Sequence, residues 1–471
     1  MGDELWRWSA TELRARIAAG EVSARDATAA AIARMEAVNP DLNAVVVPCA
    51  EEATATAAAL DEAQARGEPL GPLHGVPVTI KINVDQKGHA TSNGVPAFAD
   101  VIAEDDAPVV AHLRRAGAVI IGRTNTPEFS FRADTDNPLH GRTHNPWGRH
   151  VSAGGSSGGA ASAVMAGIGA LAHGNDIGGS LRFPALACGA STVKPGIGRV
   201  PAFNPSQTAE RGMLAQAMSV QGLIAREARD VALGMRTLVA ADERDPWQVP
   251  APFDQPPLPG PVKVALCTDT FAFDLHPEMR RALETAAAAL AGAGYEVVPT
   301  EAPTVHEIGH VGFRALMGET EALLGDAIAA HGSATIKHVF SNYHEVFPPY
   351  RGTELLQAMA KRSSYARAWN AFLADHPLVL CPLLPFPFFA PDADTVGLEG
   401  ARGTLGAGVW SFAMNFMGLP AGIAATHVAN DQPIGVQLVG RRWREDLVAE
   451  ACGVVEAQAG AMADELWRRE A

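Results

Sequence analysis

The stretch GVPVTIKINVD, residues 75–85, sets the tightest limit on what this chain can fold into. Val76, Val78, Ile80, Ile82 and Val84 alternate with Pro77, Thr79, Lys81, Asn83 and Asp85. That is the two-residue period of an extended strand whose faces meet different surroundings, and it puts Lys81 on one face with Thr79 and Asn83. Downstream, DAPVVAHLRRAGAVIIGRTN reads as a helix ending at Gly117 followed by a buried strand from Ala118 to Ile121. After a proline-rich connection, DPWQVPAPFDQPPLPGP, the pattern resumes with a strand (VKVALC), a long helix (PEMRRALETAAAALAGAG) and a strand (YEVVP). Further strands follow at LVLCP and IGVQLVG, then a closing helix. Strand and helix alternating on both sides of the connection predict an α/β protein with a mostly parallel or mixed sheet.

The N-terminal part is expected to be helical. Ser9 and Glu12 fit a capping box, Gly20 ends the first helix, Ser23 opens a second that runs to about Asn39-Pro40, and a third spans Glu51 to Arg66. With 471 residues, 47% of them hydrophobic, the chain can bury a large core. Its formal net charge of -15 repels phosphate backbones and anionic lipid, which argues against nucleic-acid and membrane partners and for a neutral or weakly charged small molecule. The five cysteines (Cys49, Cys188, Cys267, Cys381, Cys452) are scattered and never form a C-x-x-C pair, so they read as buried cytosolic thiols rather than disulfides or a metal site. Asp3 and Glu4 precede any apolar run and no stretch approaches a membrane span, so a cytoplasmic location is expected. A homo-oligomer is compatible with the sequence, which does not define the assembly.

Two glycine tracts flank serines, AGGSSGGAA and NDIGGSLR, and no histidine is placed to act as base for Ser180. A lysine can take that part if burial pulls its pKa down from about 10.4, so that the amine is neutral. A second serine can relay the proton between nucleophile and amine, and glycines beside the nucleophile leave N–H groups free for an oxyanion.

On these residues the chain resembles the amidase signature family, whose members use a Ser-cis-Ser-Lys triad. GVPVTIK resembles the lysine segment and implies Lys81 as general base. GGSSGGAASAV resembles the serine-glycine signature and implies Ser156 as the relay, held by a cis peptide after Gly155. GNDIGGSLRFPALACGASTVKP resembles the nucleophile segment and implies Ser180 as the acyl-accepting serine. The resemblance further implies an oxyanion hole from the N–H groups of Ile177, Gly178, Gly179 and Ser180, an acyl pocket with Ser130 and Phe131, and supporting roles for Ser157, Asp176 and Arg182. It runs from NTPEF and NPW to GLPAGIAA and PIGVQLVG, thinning between 242 and 410. The implied fold is one α/β/α domain over residues 1–471 around a large mixed sheet: a helical layer at 1–70, the signature core at 71–241, the connection at 242–262, and the remainder at 263–471. The implied activity is hydrolysis of a small-molecule carboxylic amide without metal or cofactor. A glutamine-dependent amidotransferase subunit is the alternative. Phe129 and Phe131 suggest an apolar or aryl acyl group.

Two positions depart from the family pattern: Asn175 stands where Thr or Ser is usual, and Ile82 where Asp is common after the lysine. One motif competes. HEIGH, His306 to His310, fits H-E-x-x-H, two imidazoles one helical turn apart with Glu307 as base. Its metzincin extension fails at Phe313 and Leu316, leaving Glu319 and Glu321 as candidate third ligands of a zinc peptidase. A binding protein on a retired scaffold of the same fold is a further reading, opposed by the intact triad. Cys188 and the aromatics Phe386, Phe388 and Phe389 read as packing.

Overall fold

The computed structural model describes residues 2–470. One mixed sheet of eleven strands runs through it. The strands are β1 (Val45–Pro48), β2 (Pro77–Lys81), β3 (Val119–Thr124), β4 (Leu171–Asp176), β5 (Ser191–Lys194), β6 (Val220–Ala225), β7 (Lys263–Leu266), β8 (Glu296–Pro299), β9 (Leu378–Cys381), β10 (Ala421–Ala429) and β11 (Gln432–Gly440). They lie in the order β1-β3-β2-β4-β6-β5-β10-β11-β9-β7-β8. Strand β2 is parallel to both β3 and β4, and β7 is parallel to β8 and β9; the other pairings are antiparallel. This is the expected α/β class with a large mixed sheet.

The first helices are α1 (Ala10–Ala18), α2 (Ala24–Leu42), α3 (Ala50–Ala65) and α4 (Pro108–Arg115). At α1 only half of the expected box forms, Ser9 Oγ accepting from the Glu12 amide; the reciprocal box is found at Ser23 and Asp26 instead. Helix α2 runs past Pro40 to Leu42, longer than expected, because proline's fixed φ is helical and the Asn39 side chain takes up the Ala44 and Val45 amides of the exit turn. The small-residue helix α5 (Gly158–Met165) is shorter than its sequence suggests: Gly167 and Gly169 adopt left-handed φ of 87° and 76° and turn the chain into β4, a strand the sequence reading passed over.

The remaining helices are α6 (Arg182–Cys188), α7 (Met213–Met218), α8 (Ala228–Leu238), α9 (Pro277–Gly292), α10 (Val305–His331), α11 (Ala334–Val346), α12 (Gly352–Asp375), α13 (Gly397–Gly403), α14 (Val409–Met417), α15 (Glu445–Ala459) and α16 (Met462–Glu470). On one side of the C-terminal strands α9 and α15 pack with Leu378, Leu380, Val436 and Leu438; on the other, α10, α12 and α14 pack with Val379, Cys381 and Val439. Alternate residues of β9 and β11 thus feed opposite cores, as the strand period requires. Strand β2 ends at Lys81, and all five of its residues are buried, polar ones included. The alternating face that carries Lys81 therefore meets protein, not water. All five cysteines are buried free thiols, and no described helix is long and apolar enough to cross a membrane.

Candidate active site

The parallel pairing of β2 with β4, Val78 beside Leu171 and Thr79 beside Ala172, brings the C-terminal ends of the two strands together. Lys81 closes one strand, Asn175 and Asp176 the other, and the turn leading into α5 lays Ser156 and Ser157 against them. The Gly155–Ser156 peptide is cis. Gly155 is required by crowding: a Cβ there would stand 2.2 Å from the Arg132 carbonyl oxygen.

Lys81 is fully buried. Its Nζ lies 2.7 Å from Ser156 Oγ, 3.1 Å from Ser157 Oγ and 2.8 Å from Asn175 Oδ1. Burial drives its pKa well below the ordinary 10.5, against the opposing pull of the Asp176 carboxylate. That pull is weakened because Asp176 is itself paired. Its Oδ1 accepts from Arg182 Nη2 at 3.0 Å and the Gly179 amide at 2.8 Å, and its Oδ2 from Arg182 Nε at 3.0 Å and the Leu181 amide at 3.2 Å. Burial pushes the carboxyl upward, but the guanidinium outweighs it and holds the pKa at about 2. Arg182 continues to Gln437 and Asn415, tying the loop to β11 and α14.

Ser180 is half-buried, two residues before α6, and its backbone carbonyl accepts from the Ser157 amide at 3.1 Å. Among the described residues no hydrogen bond joins the hydroxyls of Ser180 and Ser156. The expected set of oxyanion donors needs one correction: the Gly179 N–H is taken by Asp176 Oδ1 at 2.8 Å. The N–H groups of Ile177, Gly178 and Ser180 have no protein acceptor among the described residues.

Ser180 opens on a cleft of about 380 Å³ whose lining includes Ser130, Phe131, Ile177 and Gly178 from the expected set. The rest of its wall is Phe183 of α6, Phe313, Leu316 and Met317 of α10, Leu405, Phe412 of α14, Gly155 and Arg132. Arg132 is held by Asp394 and Asp392, so its charge is already matched. Ser130 has a left-handed φ of 57° and is bound by Asn83 Nδ2 at 2.9 Å and to Asn93 Oδ1 at 2.6 Å. Phe129, read with Phe131 as pointing to an apolar or aryl acyl group, packs its ring on Phe98, 6.1 Å between centroids. Phe386, Phe388 and Phe389 belong to the apolar cluster around α5, α6 and α16.

The HEIGH segment does lie on a helix, α10, with its imidazole rings 4.3 Å apart. Its other parts are engaged elsewhere. Glu307 accepts from Tyr365 Oη at 2.6 Å, Glu319 caps the first turn of α7 through the Leu214 and Ala215 amides, and Glu321 pairs with Arg351. Among the described residues no third His, Cys, Asp or Glu joins the pair in a metal-holding group.

Sequence reading missed Phe183, Phe313, Leu316, Met317, Leu405 and Phe412. Five of the six lie in or beyond the region where the signature thins, and an apolar stripe on a helix looks the same whether it faces a core or a cleft. Asn175 was noted as a departure but not as a direct partner of the lysine.

A sheet and site of this kind define a class, the amide hydrolases, and the family model described as Amidase matches residues 26–449. The chain belongs to the amidase family. It is 45% identical to an indoleacetamide hydrolase of Bradyrhizobium diazoefficiens, over 98% of this chain and 88% of that protein. It is 34% identical to an acylamidase of Rhodococcus erythropolis, over 97% of each. A crystal structure of a bacterial aryl acylamidase of the amidase signature family superposes with a TM-score of 0.84 at 25% identity, covering 98% of both chains. The protein is an enzyme that hydrolyses small-molecule carboxylic amides.

Proposed function

We propose that this enzyme hydrolyses the primary amide of an aryl-substituted acetic acid, releasing ammonia, with Ser180 as nucleophile, Ser156 as relay and Lys81 as base. The observation that carries the reading is the fully buried amine 2.7 Å from Ser156, beside the apolar cleft onto which Ser180 opens. Ser180 Oγ attacks the carbonyl carbon and passes its proton to Ser156, whose own proton moves to neutral Lys81. The leg between the two serines forms when substrate occupies the cleft. The oxyanion rests on the amides of Ile177, Gly178 and Ser180, with Gly179 shaping the turn rather than donating. The lysine proton returns through Ser156 to the departing nitrogen, ammonia leaves, and water cleaves the Ser180 ester by the same route. No metal or cofactor takes part.

The aryl group is supported by the aromatic and aliphatic wall of Phe131, Phe183, Phe313, Leu316, Met317 and Phe412, and by the similarity to an indoleacetamide hydrolase. The amidotransferase alternative is less well served, since the wall offers no carboxylate to meet the ammonium of glutamine. The setting proposed is the cytoplasm, with no nucleic-acid partner.

The test is ammonia release from indole-3-acetamide, propionamide and glutamine by wild type, Ser180→Ala and Lys81→Ala. The expected order is indole-3-acetamide first, with both variants nearly inactive and chelators without effect. Full activity in Ser180→Ala, or glutamine as the best substrate, refutes it.

A further inference from the structure

Resting on that assignment of Lys81 as base, we propose that Asn175 is a positioning residue that fixes which way the lysine nitrogen faces, turning its lone pair onto Ser156. A neutral amine has two hydrogens and one lone pair, and Lys81 Nζ has three neighbours within hydrogen-bond range. Only one of them can donate to it. Asn175 presents Oδ1, which can only accept, at 2.8 Å. Ser157 directs its own hydrogen to the Asn175 carbonyl at 3.4 Å, so its Oγ also accepts from the amine. Both hydrogens are then used, and the hydroxyl left facing the lone pair is Ser156, the group that must surrender a proton.

The orientation of Asn175 is held in turn. Its Nδ2 donates to Asn83 Oδ1 at 2.9 Å, Asn83 Nδ2 donates to Ser130 Oγ at 2.9 Å, and Ser130 donates to Asn93 Oδ1 at 2.6 Å. Each of these three links has its donor on the lysine side, and Asn83 Nδ2 also makes a longer contact back to Asn175 Oδ1 at 3.3 Å, a second donor on that oxygen. Exchanging the oxygen and nitrogen of Asn175 would offer an amide donor to the lysine lone pair in competition with Ser156 and would set two carbonyl oxygens against each other at Asn83. This chain starts in the wall of the acyl cleft, at Ser130, and ends on the lysine. The usual Thr or Ser at 175 has no amide to extend it.

Charge matters as much as direction, because Asn175 stabilises the amine without adding an anion. The titratable groups facing Lys81 from β4 are Asp176, neutralised by Arg182, and His173, which burial holds at about 3 despite a hydrogen bond to Gln221 and which is therefore uncharged. From β3, Arg123 is turned to the carbonyls of Val84 and Ala90, and the turn before α5 contributes only hydroxyls.

Asn175→Asp tests this by placing a carboxylate where the amide oxygen stood. The acid limb of the kcat/KM profile on indole-3-acetamide should move to higher pH by about 1 to 3 units, the shift a close opposite charge produces. A merely structural role would lower the rate without moving the limb, and an unmoved limb overturns the proposal. Asn175→Thr and Asn175→Val supply a second reading if the charged variant does not fold. They are nearly isosteric and differ in the acceptor, so kcat should be at least about tenfold lower in the Val enzyme, with KM little changed. Equal kcat in that pair overturns the proposal. Neither outcome can be confused with failure of the triad assignment, which shows as full activity in Lys81→Ala.

Discussion

Replacing Asp176 by Asn would break the most heavily bonded carboxylate beside Ser180. Its oxygens receive two bonds from Arg182 and one each from the Gly179 and Leu181 amides, and neither Asp176 nor Arg182 is exposed at all. An asparagine side chain keeps one acceptor and points an amino group at the remaining donors, while Arg182 loses its counter-charge in a dry setting. Breaking such a buried pair from one side costs about 3 to 5 kcal/mol. Here the lower end applies, because Arg182 keeps the Gln437 side chain, the Ser411 carbonyl and the Asn415 side chain as acceptors. About 3 kcal/mol is roughly two powers of ten in the folding equilibrium, a large share of the ~5 to 15 kcal/mol by which proteins are stable. The assay is urea unfolding of Asp176→Asn, Arg182→Leu and the double variant, followed by tryptophan fluorescence. The double variant, which buries no lone charge, should be more stable than the sum of the single losses allows. A single variant with the wild-type midpoint, or strictly additive losses, would refute this account.

Three further outcomes are expected. Lys81→Met should be inactive yet more thermostable than wild type at neutral pH: burial holds the Lys81 pKa in the folded state well below the ordinary 10.5 of the unfolded chain, so stability rises with pH between the two values, and the advantage of Met should shrink as pH approaches 10.5. Melting curves from pH 7 to 10 decide this. Gly155→Ala should abolish soluble, active enzyme, since its Cβ would press on the Arg132 carbonyl at 2.2 Å, whereas Gly403→Ala, with nothing within 4 Å, should leave activity intact; expression and rate measurements separate the two. Met317→Trp, which narrows the cleft, should lower kcat/KM for indole-3-acetamide about tenfold or more relative to propionamide, as a pocket overfilled by several methylene equivalents would; matching losses on the two amides would count against this wall as the acyl site.

What could be read from the sequence was whatever is local. The alternation around Lys81, the glycine-flanked serines and the proline-rich connection are short-range patterns, and the structure contains a strand ending at Lys81 and turns where the glycines stand. Strand β4 was missed because its six residues, LAHGND, include a glycine and three polar side chains, which read as loop; only the pairing with β2 and β6 makes them a strand. The helices α10, α11 and α12 were hidden because their outward and inward apolar residues, such as exposed Leu323 and buried Leu316, carry the same signal. The Gly179 amide was assigned to the oxyanion by position, but in the folded turn it donates to the Asp176 carboxylate, a contact that spacing along the chain does not encode.

The side chains proposed to carry the chemistry all come from residues 81–182, while most of the far wall of the cleft comes from α10, Leu405 and α14, more than 120 residues later in the chain. The proposed reacting centre and the proposed substrate gauge are therefore written in separate passages of the gene. Point changes in the second passage can trade one acyl group for another while leaving the proton path untouched, which suits such a scaffold to diversification among amides without rebuilding its machinery.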